Sequence, residues 1–388
     1  MKEEKFSLSS GAQKILFLFI LFGAIALAAA FYLDPVRAWS NILLNNFYFV
    51  SLGLGSVFFI AIYYVSHASW ATGLRRIPEA MSAYLPVSAF LMLILYFGLR
   101  ALFHWAHPET VAADLVLRHK QFYLNEPFFM VRVVFFFVIW IWFSRRIAKN
   151  SYDQDLSGAM DFTLQNRKFS ALFLVVFALT FTLASYDWMM SLEPHWFSTI
   201  FSVYTFAGLF LHSVGMITLI VLILLANGYL KEVVNENHLH DLGKLIFAFS
   251  TFWAYCWFCQ YMLIWYVNIP EETAYFFHRH EGRWFTIFIV NLFLNWLVPF
   301  FLLLPRGAKR SRVMLWIVSI ELLAAHWLDL YLMVFPSTKQ YPTFGHIEYF
   351  VALGFLALFF WVVFKTLEKR SLVPVKDPYL KEGLKLHQ

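Results

Sequence analysis

Ten stretches of this chain are apolar on every side for about the thickness of a bilayer, roughly 20 residues each, and that repetition governs what the chain can fold into. By residue number they run 14–32, 41–65, 81–103, 128–143, 169–188, 197–227, 242–268, 284–304, 313–335 and 349–364. A soluble fold would need a polar exterior that these stretches do not supply. Lipid accepts only helices or closed barrels, because backbone polar groups there must pair internally. The stretches are too long and too uniformly apolar for the alternating strands of an outer-membrane barrel, which are about ten residues each. The expected fold class is therefore all-α, a polytopic membrane protein of about ten transmembrane helices. The composition agrees: 61% of the 388 residues are hydrophobic and 14% charged, against about a quarter charged in soluble domains.

The first stretch follows KEEKFSLSSGAQK without a convincing small-residue cleavage site and reads as a retained span. No connection is long enough for a soluble domain, so residues 1–388 form one polytopic domain ending in a tail at 365–388. With the N-terminus inside, the N-terminal segment, the even-numbered connections and the tail hold about 22 of the 30 lysines and arginines, the asymmetry of the positive-inside rule. Both termini are then cytoplasmic. The net charge of +6 reflects these short basic loops and is no nucleic-acid signal. RIAKNS (146–151) and RGAKRS (306–311) match at four of six positions, four spans apart, the offset that two tandem four-helix units would produce.

The outer face collects nearly all the chemistry. Between spans five and six, SYDWMMSLEPHWFSTIFSVY (185–204) packs Asp187, Glu193 and His195 among aromatics. Trp188 and Trp196 suit the interfacial aromatic belt. Pro194 suits the first turn of span six, with Glu193 near the positive end of that helix. Interface physics thus accounts for Glu193, less well for Asp187 at the end of span five, and leaves His195 open. Span nine, VMLWIVSIELLAAHWLDLYLMVF, is the strongest local signal. Glu321 falls about 12 Å along it from the inner face, near the bilayer centre, at 1.5 Å per residue. His326 and Asp329 follow toward the outer side on one shared face. Ionisable groups at such depth are costly unless paired or hydrated, and they suggest a proton path or a contact with a quinone head; the alternative is a structural polar knot between helices. His212 sits mid-way along span six and reads first as a hydrogen-bonded packing residue, because the repeated histidine spacing of b-type cytochromes is missing.

Cys256 and Cys259, one turn apart among aromatics, read as small packing residues and not as a redox pair. Glu271, Glu272, His278, His280 and Glu281 have the composition of a metal site without its ordered spacing, and read as a solvated or docking loop. The sequence has no Walker motif, dinucleotide fingerprint, CxxCH or nucleophile elbow.

Four segments together carry a resemblance: SYDWMMSLEPHWFSTIF (185–201), FSTFWAYCWFCQYMLIWYVNIPEET (249–273), NWLVPFFLLLPRGAKR (295–310) and HWLDLYLMVFP (326–336). They resemble the NrfD-like integral membrane subunits of bacterial alternative complex III, a quinol:cytochrome c oxidoreductase, and within it the ActF type. The resemblance implies two four-helix bundles, residues 41–188 and 197–335, flanked by spans one and ten. It implies a subunit of the bacterial inner membrane without a cofactor of its own. Menaquinol would be oxidised near the outer face, and electrons would reach cytochrome c or an oxidase through iron–sulfur clusters and c-type haems in partner subunits. Those partners are multihaem cytochromes c, an iron–sulfur subunit and an ActC-like paralogue, besides lipid and quinol. The paralogue would be the main quinol site, with this subunit translocating protons, contacting quinone or serving as scaffold. Asp187, Glu193, His195, His326 and Asp329 lie in the matching motifs, whereas Glu321 and His212 rest on depth alone. A stand-alone secondary transporter, suited by ten helices and buried carboxylates, and a purely structural scaffold are the alternatives.

Overall fold

The computed structural model describes residues 4–386. Ten helices are long and apolar enough to cross a membrane: α1 (Ser10–Leu33), α2 (Pro35–Ser66), α3 (Arg76–Leu102), α4 (Glu126–Ser157), α5 (Met160–Leu192), α6 (Phe201–Ala226), α7 (Glu236–Val267), α8 (Arg283–Leu303), α9 (Arg312–Val334) and α10 (His346–Leu367). The described residues contain no β-strand, so the chain is an all-α polytopic membrane protein. Local chemistry sets the helix ends. Asp34, Asn125 and Ser311 cap α2, α4 and α9 by accepting backbone N–H groups of their first turns, pairing donors that no intrahelical carbonyl can reach. Gly158, at φ +74°, closes α4 in the left-handed conformation that glycine adopts without strain.

The helices pack as two rings of four, α2 to α5 and α6 to α9, each closed by contact between its first and last member. The rings meet along α2 and α6, and cross-contacts run from α2 to α9 and from α6 to α5, the pattern of a two-fold relation. In the most apolar window of α6, 89% of residues are buried and in that of α2 78%, against 11% for α1. Hence α2 and α6 form the protein interior, whereas α1 faces lipid. α1 and α10 pair outside the rings, and a Cβ on Gly23 would run into the Gly354 backbone, the close approach that small residues permit between membrane helices.

The tail folds back across the end of the bundle that carries the termini. Asp377 lies 2.5 Å from Arg75, which also pairs with Glu79 at 3.2 Å, and Arg76 bridges Glu79 and Asp155, all near-buried except Asp155. Tyr63, Tyr64 and Tyr152 cover these guanidinium groups with their rings. Two regions depart from expectation. α6 begins at Phe201, so Pro194 lies in a turn and not in the first helical turn. The acidic and histidine-rich segment after α7 forms a helix, Pro270–His280.

Candidate functional site

α9 turns Asp329 into the core of the second ring, where three neighbouring helices aim donors at its carboxylate. The Tyr204 hydroxyl of α6 donates to Oδ1, Asn291 Nδ2 of α8 donates to the same oxygen at 2.8 Å, and Trp253 Nε1 of α7 donates to Oδ2 at 3.1 Å. All four side chains are buried. The position of Asn291 follows from a local irregularity. Phe293–Leu297 forms a π-helical turn just before Pro299, the kind of bulge that often re-aims side chains. Pro299 has no N–H for the Asn295 carbonyl, which accepts the Ser250 hydroxyl at 2.8 Å instead. Asn295 Nδ2 then donates to Asn291 Oδ1 at 2.7 Å and fixes which end of the Asn291 amide faces Asp329.

One turn toward the membrane centre, His326 Nδ1 lies 3.8 Å from Asp329 Oδ2 with no hydrogen-bond partner. Its ring stacks on His212 of α6, centroids 4.0 Å apart at 21°. His212 Nδ1 donates to the Gly208 carbonyl at 2.6 Å, which assigns its hydrogen. Tyr48 of α2 stands over both imidazoles, at 5.0 and 5.9 Å. A Cβ at Gly208 would enter the His326 ring, so glycine there makes room for the histidine pair.

On its other side the cluster opens into a cavity of ≈ 20 Å³ bounded by Asp329, Tyr204, Asn291, Gln260, Tyr275 and Arg279, room for about one water. Arg279 closes the cavity. Its guanidinium lies 3.4 Å over the Tyr275 ring, donates to the Leu332 carbonyl at 2.9 Å and pairs with Glu193 at 2.8 Å. Burial pushes the Tyr275 phenol up to about 12, against the pull of Arg279. Glu193 keeps 17% of its side chain exposed at the end of the bundle away from the termini. A row of polar groups therefore leads from that end inward. Along the helices it reaches Asp329 after about 8 Å, His326 after about 12 Å and His212 after about 17 Å, at 1.5 Å per residue.

The other predicted residues lie elsewhere. Asp187 belongs to the first ring, where it accepts Arg132 Nε at 2.6 Å and Nη2 at 3.0 Å, with Arg132 stacked under Tyr123 at 3.9 Å. Exposed His195 pairs with Asp114 at 2.6 Å, and that hydrogen bond holds the Asp114 carboxyl below its usual value. Lys120 Nζ donates to the Pro194 carbonyl at 2.5 Å. The Glu193–Pro194–His195 turn is thus pinned to connections from both rings. Glu193 is placed by Arg279, where helix-end physics had been expected to place it. Glu321 is half-buried, with both carboxyl oxygens buried and unpartnered. The structure brings His212, His326 and Asp329 together, links Glu193 to them through Arg279, and leaves Asp187, His195 and Glu321 outside the cluster.

Sequence reasoning missed Arg132 and Arg279, the partners of both acids, and the donors Tyr204, Trp253 and Asn291. The readable signal was the polar pair Asn291 and Asn295 inside an otherwise apolar span. Among the described residues no group of three or more His, Cys, Asp or Glu is placed to hold a metal. Cys256 is buried and Cys259 partly so, both unpaired as thiols. Compared with known proteins, the chain matches no family model and no curated protein.

Proposed function

We propose that this chain is an integral membrane subunit of a bacterial quinol:cytochrome c oxidoreductase of the alternative complex III type, in the position of the NrfD-like ActF subunit. Its second ring handles protons during menaquinol oxidation. The observation that carries the proton role is the buried row from Glu193 and Arg279 through a one-water cavity to Asp329, His326 and His212. The four quoted motifs support the place in the complex. In this reading the termini are cytoplasmic and Glu193 faces the outside of the inner membrane, where the basic loops put it by charge. Partner subunits, multihaem cytochromes c and an iron–sulfur protein beside an ActC-like paralogue, carry the electrons. This chain's contribution is the placement of acids and bases.

Asp329 holds the exchangeable proton. Tyr204, Asn291 and Trp253 fix its oxygens, so a proton arrives from a defined side. Outward, the cavity has room for one water between Asp329 and Arg279, which pairs with Glu193. Inward, the unpartnered Nδ1 of His326 is the next acceptor, a small rotation from Asp329. The test is the proton-to-electron ratio of the purified complex carrying Asp329→Asn. The expected result is a lowered ratio or turnover in an assembled complex, and wild-type values for both would refute the role.

A second observation favours quinone contact. An apolar groove of about 640 Å³ opens to lipid between α8, α9 and α10, and Tyr48 and Trp327 line its inner wall. The Tyr48 ring separates the groove from the histidine pair. A photoreactive menaquinone analogue should label this wall; labelling only in the partner subunits would count against contact here.

A further inference from the structure

At the opposite end of the membrane region the first ring carries a second built cavity, unrelated to the proton row. It occupies about 490 Å³ between α3, α4 and α10. Arg145 and Lys149, one turn apart on α4, and Arg370, just past α10, form its exposed rim. Neither Arg145 nor Lys149 is within ion-pair distance of an acid among the described residues. The Arg370 guanidinium rests over the Tyr152 ring at 5.0 Å. Two acids also border the space. Glu79 is already neutralised by Arg75 and Arg76, and Asp153 stands beyond Lys149, so the rim keeps a net positive charge. The floor is polar: the Ser144 hydroxyl donates to Ser82 Oγ at 2.9 Å, and Ser82 donates to the Glu79 carbonyl at 2.7 Å.

The same rim serves a neighbouring crevice. Ile141, Arg145 and Lys149 also line a depression of about 470 Å³ with Val138, Trp142 and Arg146, whose guanidinium rests over the Phe169 ring at 5.4 Å. A polar-floored cavity and an apolar crevice therefore diverge from one pair of unpaired cations at the level where α4 leaves the hydrocarbon. A soluble anion would use the cations and leave the crevice unfilled. A lipid with a polar phosphodiester headgroup and acyl chains uses both.

We propose that this cavity pair is a binding site for one anionic glycerophospholipid, its phosphate held by Arg145 and Lys149, with Arg370 at the edge, its polar headgroup over the serine floor and its acyl chains along the apolar crevice. Basic pockets between membrane helices recognise anionic headgroups in this way, each cation near the surface contributing enough to change binding several-fold. The site belongs to this chain alone and does not depend on the respiratory reading.

The test is native mass spectrometry of the full chain extracted from nanodiscs holding equal phosphatidylglycerol and phosphatidylcholine. Wild-type protein should retain phosphatidylglycerol selectively. Arg145→Gln with Lys149→Gln should lower that retention on the order of tenfold, from the loss of two surface cations, while Arg306→Gln, at the same end but off the site, should leave it unchanged. Ile141→Trp, which narrows both the cavity and the crevice and keeps every charge, should lower retention as well. Equal retention in the double variant overturns the site. Retention lost in the charge variants, kept in Ile141→Trp and competed away by millimolar inorganic phosphate identifies a free-phosphate site and overturns the lipid. Should the double variant fail to fold, Ile141→Trp and the wild-type competition still decide the question.

Discussion

Asp187 gives the sharpest test of whether a buried acid in this chain serves structure or chemistry. Its carboxylate takes two charge-assisted hydrogen bonds from Arg132, at 2.6 and 3.0 Å, and the two side chains are 1% and 7% exposed. Asp187→Asn keeps one acceptor oxygen and turns two N–H donors toward a guanidinium that has nothing to accept them. One charge-assisted bond is lost, about 1.5–3 kcal/mol, and Arg132 keeps the remaining amide oxygen, the Tyr123 carbonyl and the rings of Tyr123 and Phe128, none of them charged. Breaking a buried pair from one side costs about 3–5 kcal/mol in total. Replacing both partners with apolar residues of similar size, Arg132→Met with Asp187→Leu, leaves no stranded charge and should return stability to within about 1 kcal/mol of wild type. Unfolding in detergent, followed by tryptophan fluorescence for wild type, Arg132→Met, Asp187→Leu and the double variant, measures this coupling. Single variants that lose less than about 1 kcal/mol, or a double variant no better than the worse single, would refute the structural assignment. A stable double variant that assembles yet loses quinol turnover would make Asp187 a functional group after all.

Three further outcomes follow from the same geometry. Gly208→Ala should cost about 1–3 kcal/mol through overpacking and push His326 off His212, visible as a changed histidine titration by NMR in labelled protein. Asp377→Asn should remove the nearer of buried Arg75's two acidic partners and release the tail, raising proteolysis within 371–386 while the ten helices stay protected. The third concerns pH and the α1–α2 corner. Burial by itself would raise the Asp34 carboxyl, but the Lys339 ammonium and the Arg37 amide outweigh it and hold the group below 3.8. A carboxyl lowered on folding stabilises above its unfolded value, and that contribution disappears as pH falls through the folded value. Hydrogen exchange in residues 336–345 should therefore rise below about pH 4 in wild type, through loss of this pair, and be elevated at every pH in Asp34→Asn.

What could be read in advance divides along physical lines. Ten helices and the depths of Glu321, His326 and Asp329 follow from composition and rise per residue, both local properties. Rotation about a helix axis and the identity of a partner are not local. Arg132 lies 55 positions before Asp187 and Arg279 lies 86 after Glu193, separations at which no periodicity links two charges. The misplaced start of α6 has a similar origin. Pro194 suits a first helical turn by itself, but Lys120, Asp114 and Arg279 pin it and its neighbours into a turn from two different connections. Asp329 and Glu321 show why depth alone was an incomplete guide, since one collects three donors and the other collects none.

The ion pair between Arg75 and Asp377 also sets an order of events in biogenesis. The two residues are 302 positions apart. At 5–20 residues per second, Arg75 waits about 15–60 seconds after leaving the ribosome before its partner exists. Through that interval Glu79, joined by Asp155 once α4 has been made, serves the two neighbouring guanidinium groups. The first ring can insert during synthesis but can settle its terminal end only after the second ring has followed it into the membrane. A truncated or stalled chain thus leaves Arg75 without its nearest acid and the tail undocked, a difference that quality-control proteases can read.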